Sequence, residues 1–318
     1  METTAARRIH IDAPLDLGRT FGPLVRGRYD PTSCFDGGAW WRASHSPAGP
    51  VTTRVRVDAR GAAVEIAAWG PGAEWALAHG AELVGRGAYD GDALRVLEQN
   101  GMVADAARRT PGLRVTRLRS VYDVAIGTVL EQRVTTIESR RTWSRFVRRY
   151  GERAPGPATA MMLAPAPSVV ARIPDHARHA IGIEWRRGST LARLAEDSSR
   201  LDRAAALGSD ALTRRLRAMR GIGPWTEAHL VHFVQGDLDA VPIGDWHLPS
   251  IVSWMLAGER VGDDARMLEL LDPFRPYRAI VWRLLMAHGS RAPRRVPRAE
   301  IPDLLRREDA RPRSRVFV

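Results

Sequence analysis

Apolar residues alternate with polar ones through the first part of the chain, and recur every three or four residues afterwards. "RRIHIDAP", from Arg7, has the alternation of a strand, and "TRVRVDARGAAVEIAAW" predicts a hairpin about Gly61 with Val55, Val57, Val64 and Ile66 on one face. "GAEWALAHGAELVGR", from Gly72, predicts a short helix, so residues 7–100 read as mixed α/β. A second unit starts near Pro111. There "RLRSVYDVAIGTVLEQRVTTIESRRTWSRFVRRYG" is long and helical in spacing, with Leu118, Val121, Ala125 and Val129 on one stripe. The Pro/Ala-rich "APGPATAMMLAPAPS", residues 154–168, reads as a connection between helices rather than a core element. Helical patterns resume through "STLARLAEDSSRLDRAAAL" and "SDALTRRLRAMR", with Ser209 as N-cap and Asp210 as first-turn acid of the latter. "DWHLPSIVSWMLAGE", "DDARMLELLDPF" and "YRAIVWRLLMAHG" are three more helices, and residues 291–318 form an Arg/Pro-rich tail, expected to be mobile. There are no internal repeats.

Composition narrows the class. A chain of 318 residues with 44% hydrophobic content can bury a sizeable core of two or three units. No run of about 18 uncharged apolar residues is present, and "METTAARRIHIDAP" lacks the apolar stretch of a secretory signal, so a cytoplasmic, nucleoid-associated protein is expected. The single cysteine, Cys34, excludes an internal disulfide and any cysteine-ligated zinc or iron–sulfur centre made by one chain. The net charge of +12 points to a polyanionic partner, nucleic acid first. All 48 basic residues are arginine, which excludes a lysine Schiff base.

One segment breaks the helical pattern. In "LRAMRGIGPWTEAHLVHF", the residues Gly221-Ile222-Gly223-Pro224 interrupt a helix that restarts at once, which makes a hairpin of two helices. Gly221 and Gly223 permit positive φ and leave no side chain over the turn. The amides of Gly223, Trp225 and Thr226 then point outward from a helix N-terminus, a site for one phosphate irrespective of base sequence. The same pattern, alone, also fits an ordinary tight turn. The nearby cluster Arg214, Arg215, Arg217 and Arg220 fits phosphate contact, or equally a solvated helix face.

Asp245 follows 22 residues after Gly223, in "DLDAVPIGDWHLPS", just ahead of another helix. A positive helix end stabilises a carboxylate there as the anion. An anion facing a cleft serves hydrolysis of an N-glycosidic bond, because the base departs early and leaves an oxocarbenium-like sugar. A helix cap is the plainer role for the same residue.

"GIGPWTEA" followed by "VPIGDWHL" resembles the helix-hairpin-helix Gly/Pro-Asp superfamily of base-excision DNA glycosylases, and within it the bacterial DNA-3-methyladenine glycosylase II group. "PLDLGRTFGPLVRG" is similar to that group's N-terminal domain, "TPGLRVTRLRSVYDVAIGTVLEQRVT" to its first core helix, and "FRPYRAIVWRLLMAHG" to its closing helix. The resemblance implies a mainly α fold. An N-terminal α+β domain of antiparallel sheet and helices spans 1–110. A glycosylase core of two helical subdomains spans 111–290, with the hairpin at about 210–233, and the tail covers 291–318. It further implies that Asp245 is the essential aspartate and that Gly221 and Gly223 form the hairpin. Trp225 stands where strand-cleaving members carry a nucleophilic lysine. The wedge that fills the vacated base position follows a glutamine, giving Gln132 and then Arg133, where an apolar residue is usual. Met286 takes the place of an aromatic in the last helix.

A glycosylase draws its base out of the stack and holds it. Trp225, His229 and Trp246 are spaced to line one cleft, where indole faces favour cationic alkylated purines; core packing is the other role open to them. Trp143 and Trp185 read as core. His229 and His232 lack a third ligand, so no metal is expected, and no cofactor. The function implied is a monofunctional glycosylase, a monomer acting on double-stranded DNA with alkylated bases and leaving an abasic site. Two alternatives use the same residues: a non-catalytic helix-hairpin-helix DNA-binding protein, and a glycosylase for oxidised or deaminated bases. In either case duplex binding should weaken steeply from low to moderate salt and show little sequence preference, as measured by fluorescence anisotropy. Affinity that does not change with salt would remove the electrostatic basis of this reading.

Overall fold

A computed structural model describes residues 5–85 and 91–289; the tail at 291–318 lies outside the described residues. Five antiparallel strands, β1 (Ala5–His10), β2 (Ser33–Asp36), β3 (Ala39–Ser46), β4 (Gly49–Val57) and β5 (Ala63–Trp69), form one sheet in the order β1-β5-β4-β3-β2. The expected hairpin forms, with Val55 opposite Ile66 and Val57 opposite Val64. This face also carries Trp40, stacked on Phe21 at 4.0 Å, and it is buried against the helices. The segment from Gly72 forms two short helices, Ala73–Ala78 and Gly80–Leu83, rather than one.

The opposite face of the sheet corrects an expectation. The Pro/Ala-rich segment is more than a connection. Its Ala158, Met161 and Leu163 are buried over Trp41 and Trp69, whose rings stack at 5.4 Å. A small hairpin of Glu152–Arg153 with Met162–Leu163 holds it there. Alanine and proline let the chain lie flat over two indoles, where a bulkier segment would stand off.

The long helices are α1 (Gly101–Arg109), α2 (Val121–Glu131), α3 (Thr136–Tyr150), α4 (Trp185–Ala206), α5 (Ser209–Arg217), α6 (Pro224–Gln235), α7 (Leu248–Ala257), α8 (Asp264–Leu271) and α9 (Arg278–His288). The stretch from 117 to 151 is thus two helices. Leu118 precedes the first in extended chain, and the break falls at 132–135, where Arg133 has φ +56. Thr135 caps α3 through the amide of Glu138. Gly208, at φ +110, takes the N-cap position before α5 that was expected at Ser209, with Asp210 in the first turn. Trp143 is core, but Trp185 is 64% exposed at the start of α4, where its ring lies outside the buried stripe.

The helices bury two apolar clusters. One joins the sheet to α2–α6; the other gathers α1 with α7, α8 and α9. This matches the mainly α fold with two helical subdomains and an antiparallel sheet. Asp30 fastens the sheet side to the helices. Its Oδ1 accepts from the amide and hydroxyl of Thr32 at 2.9 and 2.8 Å and from the Trp143 indole at 2.9 Å, and its Oδ2 accepts from the Arg26 amide at 2.7 Å. Asp30→Ala leaves these buried donors unpaired and should lower stability by about 3 kcal/mol or more, read from thermal unfolding. An unchanged melting temperature would show that the fastening is unimportant.

Candidate functional site

The hairpin forms as the sequence predicts, with one difference between its glycines. Gly221 has φ +98, and a Cβ there would collide with the Thr190 hydroxyl of α4. Gly223 has φ −97 and ψ 176, an extended conformation open to any residue, with nothing within 4 Å of a Cβ. The turn therefore requires glycine at Gly221, whereas at Gly223 a side chain would stand in open space. Pro224 takes the first position of α6, which needs no N–H. No acceptor among the described residues reaches the amides of Gly223, Trp225 or Thr226, so the helix end presents three free donors.

Gln132 reaches this turn from the end of α2. Its side-chain amide donates to the carbonyl of Gly221 at 3.0 Å and to the Thr226 hydroxyl at 2.8 Å. Arg133 follows it, exposed and in the left-handed region. Arg217 is exposed and forms a two-point ion pair with Glu227, which holds its guanidinium above the usual range. Arg215 pairs with Asp197, while Arg214 and Arg220 are exposed.

Asp245 sits where the two helical halves meet. Its Oδ1 accepts from the amides of His247 at 2.8 Å and Leu248 at 2.9 Å, at the start of α7. Its Oδ2 accepts from the Trp225 indole at 2.9 Å, so hairpin helix and carboxylate are joined directly. The strap leading to it is pinned along its length. Asp239 forms a two-point pair with Arg278, the Ala240 carbonyl accepts from Trp282 at 3.0 Å, and the Gly244 amide donates to Asp264. Gly244 itself turns at φ +89.

Trp225 and His229 are half-buried and face one another at 4.4 Å, with Trp282 6.2 Å and Phe233 6.4 Å from the histidine ring. Trp246 does not join them: it is 88% exposed, because the peptide that turns into α7 carries its side chain outward. Met286 is 43% exposed on α9. Trp282, one helical turn before Met286, is the aromatic that α9 brings to the His229 ring, and it is buried. Glu131 was also missed. It ends α2, lies 3.3 Å from Arg26, and acts electrostatically on His229. Among the described residues no group of three or more His, Cys, Asp or Glu side chains is arranged to hold a metal ion, and no helix is long and apolar enough to cross a membrane.

No protein-family model and no curated protein matches the chain in sequence. Solved structures do match in shape. A 3-methyladenine DNA glycosylase from Archaeoglobus fulgidus aligns with a TM-score of 0.74 at 15% identity over 88% of this chain and 97% of that one. The Clostridium acetobutylicum 8-oxoguanine glycosylase/lyase aligns at 0.67, with 10% identity over 90% and 97%. The Schizosaccharomyces pombe 3-methyladenine DNA glycosylase, solved with abasic DNA, aligns at 0.52, with 18% identity over 63% and 97%. At these identities the likeness is one of fold. The chain has the architecture of the helix-hairpin-helix DNA glycosylases.

The two glycines should respond differently to alanine. Gly221→Ala is strained in backbone and blocked by Thr190, so unfolding should move down by about 2 kcal/mol or more. Gly223→Ala has room and an accessible backbone, so it should cost less than about 1 kcal/mol, yet weaken duplex binding by covering the free amides. Thermal unfolding and binding anisotropy, measured side by side, check both. Equal stability losses would mean the turn is not the constraint described.

Proposed function

We propose that the chain is a monofunctional DNA glycosylase that removes alkylated bases of the 3-methyladenine type from duplex DNA and leaves an abasic site. The observation that carries this reading is the Asp245 carboxylate, held by two α7 amides and by the indole of the hairpin helix. A protein that only gripped phosphates would gain nothing from an anion beside the three free amides, since it repels the backbone.

In this reading the hairpin amides hold a phosphate, and Gln132 steadies the turn while Arg133 enters the space left by the extruded base. The base rests among Trp225, His229 and Trp282, and Asp245 stabilises the cationic sugar while water attacks. Arg217 contributes to the backbone-facing charge from its pair with Glu227. The fold is one shared with alkylbase and oxidised-base enzymes, so the alkylbase assignment rests on the aromatic cluster and the Asp245 carboxylate beside it, which suit a cationic base. The absence of lysine supports hydrolysis over lyase chemistry. The protein acts as a monomer in the cytoplasm.

Asp245→Asn is the central test. The asparagine carbonyl keeps the two amide hydrogen bonds, but its NH₂ then faces the Trp225 N–H, donor against donor. The variant should therefore be paired with Trp225→Phe, alone and combined, so that loss of charge is separated from this clash. Single-turnover excision of 3-methyladenine should fall by roughly 10²–10³ for Asp245→Asn in either background, with affinity for an abasic-site analogue largely kept. The wild-type product should be an unbroken strand with no borohydride-trapped adduct. Excision at the wild-type rate by Asp245→Asn, or a trapped adduct, would overturn the proposal.

A further inference from the structure

His229 has one ring nitrogen committed and one open. Nδ1 lies 2.9 Å from the carbonyl oxygen of Trp225, an atom that can only accept, so Nδ1 carries the hydrogen. Nε2, on the outer edge of the ring, meets no hydrogen-bond partner among the described residues. The ring lies 4.4 Å from Trp225 and 6.2 Å from Trp282 in the pocket proposed for the base, one turn along α6 from the residue that holds Asp245.

The surrounding charges favour the neutral ring. Burial pulls His229 below the ordinary range, and Arg283 of α9 adds to this, while the Trp225 carbonyl, Glu131 of α2 and Asp245 oppose it. His232, one turn further along α6, is fully buried and held down to about 3 by burial and by Arg283. Its Nδ1 donates to the Asp237 carbonyl at 2.8 Å, and its Nε2 accepts from Arg283 at 3.0 Å. The second histidine therefore offers no proton to the first.

We propose that His229 discriminates among extruded bases as a hydrogen-bond acceptor, its Nε2 taking an N–H from the exocyclic amino group at C6 and so selecting 6-amino purines over 6-oxo purines. This rests on the glycosylase reading above and deepens it. A 6-oxo purine places a carbonyl oxygen against the Nε2 lone pair, and both acceptors are left unpaired out of water, at a cost of roughly tenfold to a hundredfold in rate. 3-Methyladenine and 3-methylguanine make the sharpest comparison, because both are 3-methylated cations.

The test uses the full chain on methylated duplex DNA, with single-turnover release of both bases quantified by mass spectrometry. Wild-type protein should release 3-methyladenine at least about tenfold faster than 3-methylguanine. His229→Phe, which keeps an aromatic ring and loses the acceptor, should bring the ratio close to one. His229→Gln, whose amide oxygen can accept, should retain part of it. The wild-type ratio should hold from about pH 8 through the ordinary histidine value of 6.5 and fall only in more acid solution, where Nε2 becomes a donor. A wild-type ratio of one or less, or a ratio unchanged in folded His229→Phe, overturns the inference and leaves the glycosylase reading standing. Release of neither base by wild-type protein overturns the glycosylase reading instead.

Discussion

Helix α2 is buried along its whole length from Val121 to Leu130, and a buried helix has to find partners for the backbone groups at both ends. Those partners build the site. At the C-terminal end the carbonyl of Leu130 accepts from the buried guanidinium of Arg187, and the next side chain but one, Gln132, goes to the hairpin turn. At the N-terminal end the backbone of Val121 hydrogen-bonds to the Asp202 carboxylate, and just ahead of the helix the amides of Leu118 and Arg119, the latter at φ +57, donate to the carbonyls of Phe233 and Val234 in α6. Asp123 receives the amide of His45 from β3, and burial pushes its carboxyl well above the usual range. The same helix thus fixes the sheet, the hairpin helix and the loop that carries Arg133. A shift of α2 would move the hairpin at both of its ends.

What was legible in the sequence was what local chemistry decides. The hairpin of β4 and β5 follows from strict alternation about Gly61, and α5 and α6 with their turn follow from Gly221 and Pro224. Asp245 stands out as a candidate because proline, glycine and a following helix frame it. The misses share a different cause. Burial of Ala158, Met161 and Leu163 depends on two indoles more than eighty residues earlier, and nothing in a Pro/Ala-rich stretch announces them. Trp185 and Trp246 look alike in sequence to the buried tryptophans, yet their positions on α4 and before α7 turn them outward. Tryptophan records the value of an aromatic ring, not the direction in which it points.

The net charge of +12 suggests a uniformly basic surface, but among the described residues six arginines are buried. Arg114, Arg178, Arg187 and Arg283 are buried and donate to backbone carbonyls: Arg114 to Pro14 and Gly85, Arg178 to Val170, Arg187 to Leu130 and Gly182, and Arg283 to Arg19 and Thr20. The planar fork of five donors lets one side chain satisfy two carbonyls from separate elements, which an ammonium on a flexible stem does less well. In a chain without lysine, arginine therefore joins elements as well as facing solvent. These four charges are directed at carbonyls of the interior rather than at a polyanion.

The hydrogen bonds at Asp245 bear on what kind of chemistry the carboxylate suits. A carboxylate has about four lone-pair directions. Two on Oδ1 are taken by the α7 amides and one on Oδ2 by Trp225, leaving about one direction open, on Oδ2. A side chain held by three donors from two helices has little freedom to rotate towards a proton. It is well arranged to present fixed negative charge in one direction, which is what a developing sugar cation requires. The strap from Asp237 to Gly244, pinned by Asp239, Trp282 and Asp264, keeps that direction constant relative to Trp225. Preorganisation here is a property of the junction between two helical halves, and the indole that lines the proposed base pocket is also the group that aims the anion.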